Sequence, residues 1–240
     1  MGTDKIGLMK EVVVFAYNFS HRKTQDFLFH LSACGIKVNH VFAADAVKLD
    51  IPPSEVRTKI RHCTQLHPSV VAKSIGAQYH QVPHQGSQIN TLIEEINPEI
   101  GIIAGARILQ ADVINGFSDG IINFHPGLIP EARGLDALLW SIRNDIPLGV
   151  TSHLIDERVD AGKILERRII DLHQDDTIFD LSERLYETQL EMLPHAIDRA
   201  QKAVTKEVDF RSGAYNRKMN GDMEKETIAM LPNYLERRLS

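Results

Sequence analysis

The sequence predicts an α/β fold: a Rossmann-like, mostly parallel twisted sheet flanked by helices, with a short C-terminal extension. Short runs rich in β-branched residues recur through the first two-thirds of the chain, and helical segments separate them. Strands joined through helices form βαβ units, whose strands are parallel and whose crossovers are right-handed. Several runs are continuously apolar, which is typical of strands that helices cover on both faces.

The predicted elements alternate from residue 11 onward. The segment 11–16, EVVVFA, is the first strand, and later parallel strands are expected at 38–43, 79–82, 100–104 and 120–124. Helices are expected between them, at 24–34, 69–75, 87–96 and 108–114. Gly35, Gly76 and the Asn97-Pro98 pair mark the ends of the first three helices, because Gly and Pro stop helices.

The last third of the chain breaks this alternation. The strand-like runs 149–155 and 164–170 are joined by a short loop, so we expect them to add antiparallel strands to the sheet. A helix is predicted to start at the Thr177-x-x-Asp180 capping pattern and to run towards residue 204, with Pro194 kinking or splitting it.

We therefore predict one domain over 10–205 and an extension over 206–240, where hydrophobic density falls. The role of the extension stays open between a helical arm, a dimerisation element and part of a binding site. Met9 is an alternative translation start, so residues 1–9 take no part in the fold prediction.

Composition and charge exclude several classes of protein. At 43% hydrophobic and 25% charged residues, the chain has the composition of an ordinary globular protein. The formal net charge is -5 with both signs spread along the sequence, so we expect no nucleic-acid partner. No run reaches the roughly 18 apolar residues of a membrane span, and no signal peptide is evident. Cys34 and Cys63 form no paired motif, so we expect reduced thiols in a cytoplasmic protein without membrane contact.

Three common motifs of α/β enzymes are absent. The sequence contains no G-x-G-x-x-G after the first strand, no G-x-x-x-x-G-K-[ST] and no G-x-S-x-G. Dinucleotide binding, P-loop hydrolysis and α/β-hydrolase chemistry are therefore disfavoured together. His62, Cys63 and His67 lie close in sequence, but no second cluster has ligand spacing, so we expect no metal site.

The segment 120–134, GIINFHPGLIPEARG, is the most informative stretch. Because strand side chains alternate, Asn123 and His125 are predicted to point to the same face. Pro126 ends the strand, so the pair lies at its carboxyl end, where open α/β sheets keep their ligand crevice. On spacing alone, a strand-end Asn and His that merely satisfy loop backbone groups remain an alternative.

An acidic loop follows about thirty-five residues later. It reads DERVDAG over 156–162, and Asp160 lies in a tight turn before Ala-Gly. A carboxylate beside His125 would orient the imidazole and favour its charged form. Asn, His and Asp together supply an oxyanion donor, a proton-transfer group and an orienting acid, which are the parts that acyl transfer needs. Asp156 and Glu157 are rivals for the acid on spacing alone.

Several motifs together resemble the folate-dependent formyltransferases. They are Asn123-Phe124-His125-Pro126-Gly127-Leu128-Ile129-Pro130, Arg133-Gly134, Gly149-x-Thr151-x-His153 and Asp160-x-Gly162-x-Ile164. The family includes glycinamide ribonucleotide, methionyl-tRNA and sugar N-formyltransferases. The resemblance is good over about 100–170 and looser in the flanks.

The resemblance implies a donor, N10-formyltetrahydrofolate, and roles for residues. Asn123, His125 and Asp160 match the family's catalytic triad. Two segments match those that hold the pterin: Ala106, Arg107, Ile108 and Leu109, and the loop residues Ile155, Asp156, Glu157 and Val159. Domain 10–205 would then be the catalytic domain, and we expect Arg133 and Gly134 to contact the acceptor.

The acceptor amine is inferred by elimination. Tyr17-Asn18-Phe19-Ser20-His21-Arg22-Lys23 replaces the glycine-rich phosphate loop of the purine enzymes. Ser20 is predicted to cap a helix whose amino end, with His21, Arg22 and Lys23, faces a phosphate; an ordinary cap with solvated basic residues is the alternative.

The chain is short for a methionyl-tRNA enzyme, and no regulatory domain of the hydrolase type precedes the first strand. We therefore expect a nucleotide-linked amino sugar as acceptor and a homodimer, which such enzymes commonly form. Glycinamide ribonucleotide formyltransferase and formyltetrahydrofolate hydrolase are the alternatives.

Overall fold

A computed structural model of the chain describes residues 11–48, 50–55, 65–106, 108–157, 162–207 and 215–240. The strands in these residues are β1 (Val12–Tyr17), β2 (His40–Ala44), β3 (Gln78–Gln81), β4 (Ile100–Ile103), β5 (Gly120–His125), β6 (Arg133–Gly134), β7 (Gly149–Leu154), β8 (Lys163–Ile169) and β9 (Tyr215–Asn216).

Seven of these strands form one sheet in the order β3-β2-β1-β4-β5-β7-β8. β1 to β5 are mutually parallel, and β7 and β8 continue the sheet antiparallel. The predicted fold class is therefore confirmed, including the antiparallel addition after β5.

The described helices lie on both faces of the sheet and at its carboxyl edge. They are α1 (Arg22–Ala33), α2 (Pro68–Ser74), α3 (Ser87–Ile96), α4 (Ala111–Ile114), α5 (Ala137–Arg143), α6 (Ile178–Gln201), α7 (Gly221–Ala229) and α8 (Leu231–Leu239). α6 starts at the predicted capping box of Thr177 and Asp180. It continues through Pro194 without being split, because Leu193 and Ala196 beside the proline are fully buried and tertiary packing outweighs the lost hydrogen bond.

The sheet separates two hydrophobic clusters. Even-numbered residues of β1 such as Val14 belong to the cluster that includes residues of α1, α2, α6 and α8. Odd-numbered residues such as Phe15 belong to the cluster that includes residues of α3 and α4. Asn123 and His125 lie two and four residues after Ile121 on the same strand, β5. Because alternate side chains of a strand point to the same face, all three point to the face of the second cluster, to which Ile121 belongs.

The described part of the C-terminal extension packs against the domain. Leu231, Tyr234 and Leu235 of α8 belong to the same cluster as Val14. The Tyr234 hydroxyl donates a hydrogen bond of 2.8 Å to the carbonyl oxygen of Ile146. Few apolar residues suffice for this contact, which explains why the sequence pattern of the extension was weak.

Candidate active site

A cavity of about 490 Å³ lies at the carboxyl end of β5. Asn123 and His125 line it from the strand, and residues 134–138 line it from β6 and the start of α5. α1 and α6 close the other side, where Arg22 and Glu183 face the cavity. The structure thus brings together two of the predicted catalytic residues and two predicted acceptor-binding residues, Arg22 and Gly134.

The amide of Asn123 is held by the neighbouring antiparallel strand. Asn123 lies opposite His153 of β7, and its Nδ2 atom is 3.3 Å from Nε2 of His153. An amide nitrogen only donates, so His153 accepts this bond through a nitrogen without a proton. One amide N–H is used in this way, and the second is the group that would bind a developing oxyanion.

His125 is buried, with 5% of its surface exposed. The loop that follows it fixes the ring, because the Nε2 atom lies 2.6 Å from the carbonyl oxygen of Ala132. A carbonyl oxygen only accepts, so Nε2 carries a proton and the neutral ring has its lone pair on Nδ1. A Cβ atom at Gly127 would be 2.8 Å from Nε2 and 2.7 Å from the Ala132 oxygen. Only glycine leaves room for this contact.

Thr151, on the neighbouring strand β7, also holds the loop that follows His125. Its hydroxyl donates to the carbonyl oxygen of Gly127 at 2.8 Å and accepts from the amide of Ile129 at 3.0 Å. Thr151 is fully buried and lies opposite His125 in the β5–β7 register. Its place in the G-x-T-x-H motif is the sequence signal for it, although we did not predict it as a site residue.

The predicted donor-binding segments come together on one face of the sheet. Ala106, Leu109 and Ile155 pack on the cluster that contains Phe15, whereas Ile108 is 67% exposed. Tyr17 holds the first segment, because its hydroxyl donates a bond of 3.0 Å to the carbonyl oxygen of Ala106.

The second segment that was predicted to bind the donor starts at Ile155. Its amide donates to the carbonyl oxygen of Ile121 at 2.9 Å, which places the loop beside β5. Asp156 is half-buried and Glu157 is exposed. Arg107, Val159 and the predicted acid Asp160 lie outside the described residues, so their roles stay predictions.

The prediction that Ser20 caps the helix after β1 is wrong. α1 begins at Arg22, so His21 and not Ser20 occupies the N-cap position. The Nδ1 atom of His21 is 3.0 Å from Oγ1 of Thr24, a contact that binds the turn to the first turn of α1. Burial, together with the nearby Lys23 ammonium, lowers the pKa of His21, so this ring is neutral at neutral pH.

The two basic side chains that follow have specific partners in the fold. The Arg22 guanidinium forms two hydrogen bonds to the Glu183 carboxylate, of 2.7 and 2.6 Å, so it is not simply solvated. The Lys23 ammonium lies 3.4 Å from the carbonyl oxygen of Phe124, next to Asn123 and His125. A positive charge is thus held beside Asn123 and His125.

Glu183 and Tyr186 of α6 were not predicted as site residues. The Arg22 guanidinium lies 4.0 Å above the centre of the Tyr186 ring, and the Tyr186 hydroxyl donates to Asp26 at 2.6 Å. Burial and the bond to Asp26 raise the pKa of Tyr186, which therefore stays neutral. No motif marks these residues, because the contacts join positions about 160 apart in the chain.

Arg133 and Gly134 form β6, which pairs with β9 of the C-terminal extension. Gly134 has a φ of 94°, and a Cβ atom there would lie 2.1 Å from the carbonyl oxygen of Asn216. Lys218 pairs with Asp136 at 3.2 Å beside this strand pair. The extension therefore supports the wall of the cavity that residues 134–138 form.

Within the described ranges, no group of three or more His, Cys, Asp or Glu side chains is arranged to hold a metal ion. His67 instead caps α2 by accepting from the amide of Ser69; His62 and Cys63 lie outside those ranges. Nor is any described helix long and apolar enough to cross a membrane.

The sequence of the chain matches a known protein family. Residues 68–197, more than half of the chain, match the family described as formyl transferase, and the chain therefore belongs to that family. The matched segment contains Asn123, His125, Thr151 and His153.

A methionyl-tRNA formyltransferase from Thermodesulfovibrio yellowstonii is 32% identical over 114 residues, which are 47% of this chain. The match spans 37% of that relative, so the chain corresponds to little more than a third of its length.

Three solved structures share the fold. A sugar N-formyltransferase from Shewanella sp FDAARGOS_354 has a TM-score of 0.62 at 20% identity, over 92% of this chain and 87% of that one. Glycinamide ribonucleotide transformylase 1 from Symbiobacterium toebii has a TM-score of 0.63 at 18% identity, over 87% and 99%. PseJ from Anoxybacillus kamchatkensis, in complex with UDP-4,6-dideoxy-4-formamido-L-AltNAc and tetrahydrofolate, has a TM-score of 0.52 at 20% identity, over 86% and 85%.

Proposed function

We propose that this chain transfers a formyl group from N10-formyltetrahydrofolate to a primary amine, and that the amine belongs to a nucleotide-linked amino sugar. The observation that carries the proposal is the placement of Asn123 and His125 side by side in one open cavity at the carboxyl end of β5. Family membership supports formyl transfer as the reaction.

His125 is the proton-transfer group in this proposal. An amine attacks the formyl carbon only when it is uncharged, so a base must take its proton directly or through water. Imidazole is the side chain that most often carries out this proton transfer in enzymes. Because Nε2 is occupied by the Ala132 carbonyl, the proton would arrive on Nδ1. The resulting imidazolium can pass it to the departing nitrogen.

Asn123 would stabilise the charge that develops on the formyl oxygen. The bond to His153 fixes the amide before any substrate arrives, so no reorganisation is needed during the reaction. One such donor is worth roughly 3 kcal/mol of activation free energy in comparable sites. Asp160 is proposed to orient His125 and to organise water for proton transfer.

The donor would bind along the two predicted segments. Ala106, Leu109 and Ile155 offer an apolar wall on one face of the sheet, which suits the flat ring of a folate. The bound tetrahydrofolate of PseJ supports this donor class, as does the family.

Two structural neighbours support a nucleotide-sugar acceptor. PseJ is bound to a UDP-linked formamido sugar, and the Shewanella protein is a sugar N-formyltransferase. The turn after β1 has no glycine in this chain, which disfavours the purine-pathway acceptor. We further propose a cytoplasmic homodimer.

The test is tetrahydrofolate formation from N10-formyltetrahydrofolate with amino-dideoxy nucleotide sugars, glycinamide ribonucleotide, or no amine. Turnover that requires a nucleotide sugar supports the whole proposal, whereas turnover only with glycinamide ribonucleotide contradicts the acceptor. Equal rates with and without amine identify a hydrolase. Absence of turnover with every amine, in protein that is folded, contradicts formyl transfer.

A further inference from the structure

One wall of the candidate active-site cavity is built from two distant parts of the chain. Residues 134–138 line the cavity, and the segment 215–219 of the C-terminal extension is bonded to them without lining it. Besides the pairing of β6 with β9, the amide of Leu135 donates to the carbonyl oxygen of Asn216 at 3.0 Å. The surface of the wall thus belongs to the domain, and its support comes from the extension.

Asp136 lies in the middle of this wall and has an unusual backbone conformation for its place. It occupies the N-cap position of α5, where an aspartate normally has an extended backbone and accepts a hydrogen bond from an amide of the first helical turn. Asp136 instead has a φ of 52° and a ψ of 38°, in the left-handed region, and its side chain does not cap the helix. Such a conformation in a residue other than glycine persists where surrounding contacts impose it.

The extension supplies the contacts that hold Asp136. The Nζ atom of Lys218 lies 3.2 Å from each carboxylate oxygen of Asp136, and the amide of Met219 donates to one of them at 2.9 Å. The exposed fractions of the Lys218 and Asp136 side chains are 15% and 18%, so water screens this ion pair less than a surface pair. Met219 is itself buried. The carboxylate is therefore turned away from α5 and bound to an anchored segment.

The same wall lies directly beside the loop that holds His125. A Cβ atom at Gly127 would be 2.8 Å from Cβ of Ala137 and 2.8 Å from Nε2 of His125, so both side chains are neighbours of this glycine. Leu135 adds an apolar side chain that is 47% exposed and lines the cavity. An acceptor whose amine reaches His125 would contact this wall, so the position of the wall sets the position of the amine.

We infer that Lys218 is a positioning residue for the acceptor. Through Asp136 it holds residues 134–138 in the conformation that places the acceptor's amine at His125. Lys218 is not among the described residues that line the cavity, so its effect passes through Asp136. The inference rests on the proposed formyl transfer to an amine in this cavity, but not on which amine is the acceptor. It gives the extension a part in the acceptor site.

The test is steady-state kinetics of the full chain with N10-formyltetrahydrofolate and the amine that the wild type formylates, from amino-dideoxy nucleotide sugars and glycinamide ribonucleotide. Lys218→Met keeps the length of the side chain and removes the ammonium, so the acceptor KM should rise about tenfold, with kcat changed less than about threefold. The donor KM should stay within about twofold of the wild type, because the proposed donor wall belongs to other elements. Lys218→Arg keeps the charge and should retain an acceptor KM near that of the wild type.

Lys225→Met is the matched control. Lys225 is also an ion-paired lysine of the extension, but its partner is Glu55, which is not among the residues that line the cavity. Its acceptor KM should equal that of the wild type. Asp136→Asn should raise the acceptor KM as Lys218→Met does, and the double variant should raise it no further, because both changes break one contact.

Trp140 reports the same contact without turnover. It is the only tryptophan of the chain, and its Nε1 atom donates to the carbonyl oxygen of Arg217 at 2.8 Å. Quenching of its fluorescence by acrylamide should increase in Lys218→Met, because the segment bonded to the indole is released. Quenching should stay normal in Lys218→Arg and in Lys225→Met.

An acceptor KM of Lys218→Met equal to that of the wild type overturns the inference, whatever the quenching shows. Additive effects in the double variant also overturn it, because Lys218 would then not act through Asp136. If Lys218→Met does not fold, Asp136→Asn carries the test, since an asparagine oxygen can still accept from the amide of Met219. A folded wild type that formylates no amine contradicts the proposed function itself, whereas turnover that is insensitive to Lys218 contradicts this inference alone.

Discussion

The Nε2 atom of His125 donates a hydrogen bond of 2.6 Å to the carbonyl oxygen of Ala132, seven residues further along the chain. This bond holds the loop that follows β5 against His125, the last residue of that strand. It leaves Nδ1 as the only ring nitrogen of neutral His125 that can take a proton. The loop after β5 therefore sets the orientation of the proposed base.

Replacing the proposed catalytic residues should remove turnover and leave the fold intact. His125→Ala should lower kcat by roughly 100- to 10,000-fold, the usual range for a lost general base. Asn123→Ala should lower it by roughly 100- to 1,000-fold through the lost oxyanion donor. His195→Ala, at an exposed position on α6, is the control and should turn over normally. Near wild-type kcat in His125→Ala would refute the role of this residue.

Gly127→Ala should disturb the His125 ring directly. The new Cβ atom would lie 2.8 Å from Nε2 of His125, so the ring or the loop must move. Overpacking of this kind costs about 1–3 kcal/mol of stability, and turnover should fall further than stability alone explains. In Gly35→Ala the added Cβ meets nothing within 4 Å. That control variant should lose some stability through backbone strain at a φ of 73°, but no kcat.

Arg22 and Glu183 should be energetically coupled. Both side chains are mostly buried, with 22% and 26% of their surface exposed, and the pair is bidentate. We expect a coupling free energy of about 1 kcal/mol from urea unfolding of Arg22→Met, Glu183→Gln and the double variant. The exposed pair Lys202–Asp198 is the control, with about 0.3–0.5 kcal/mol expected. A coupling no larger than in the control would contradict a structural role for the pair.

Arg22→Lys also separates two roles for this side chain. Lysine keeps the charge but loses the two parallel hydrogen bonds and the stacking on Tyr186. If Arg22 binds the acceptor's phosphate only through its charge, the acceptor KM of Arg22→Lys stays near that of the wild type. If its bidentate geometry is needed, KM rises in Arg22→Lys as it does in Arg22→Ala.

The protein should lose stability as the pH falls below about 6.5, the pKa of an unperturbed imidazole. His40 and His80 are 3.1 Å apart at the edge formed by β2 and β3. Burial lowers the pKa of His40, against the opposing Glu11 carboxylate. Burial and the nearby His40 lower the pKa of His80.

The sign follows from proton linkage. A folded-state pKa below the unfolded value means that the unfolded chain binds more protons, so the stabilisation is complete above about pH 6.5 and is lost as the pH falls. Melting temperatures from pH 8 to pH 5 measure this loss, and His80→Gln should reduce the slope. An unchanged slope in His80→Gln would exclude this residue as a contributor.

Tyr234 should be as important to stability as residues of the sheet. It is fully buried among residues of the main cluster. Tyr234→Ala should cost about 3–5 kcal/mol, and Tyr234→Phe about 1 kcal/mol through the lost bond to Ile146. Leu239→Ala, at a residue 48% exposed, is the control with little expected effect. If chemical unfolding shows no loss in Tyr234→Ala, the extension does not share the domain core.

The sequence predicted the features that depend on local periodicity. The continuous apolar runs gave the parallel strands, and the two-residue spacing of Asn123 and His125 gave their common face at the end of β5. α5 was not predicted from the sequence. β6 and β9 have two residues each and no pattern of their own.

Features that depend on distant contacts were beyond sequence reasoning. The bond from Tyr17 to Ala106 and the pair of Arg22 and Glu183 join segments that only the fold brings together. Ser20 was predicted as the helix cap because serine favours that position. α1 instead starts one residue later, where His21 contacts Thr24.

The most direct test is the fate of the formyl carbon itself. N10-formyltetrahydrofolate labelled with ¹³C at the formyl group is incubated with the protein and an amino-dideoxy nucleotide sugar, and the products are followed by ¹³C NMR. We predict a formamide signal on the sugar that grows with tetrahydrofolate and is absent with His125→Ala. If all of the label appears as free formate, or stays on the donor in the presence of folded protein, the proposed transfer is wrong.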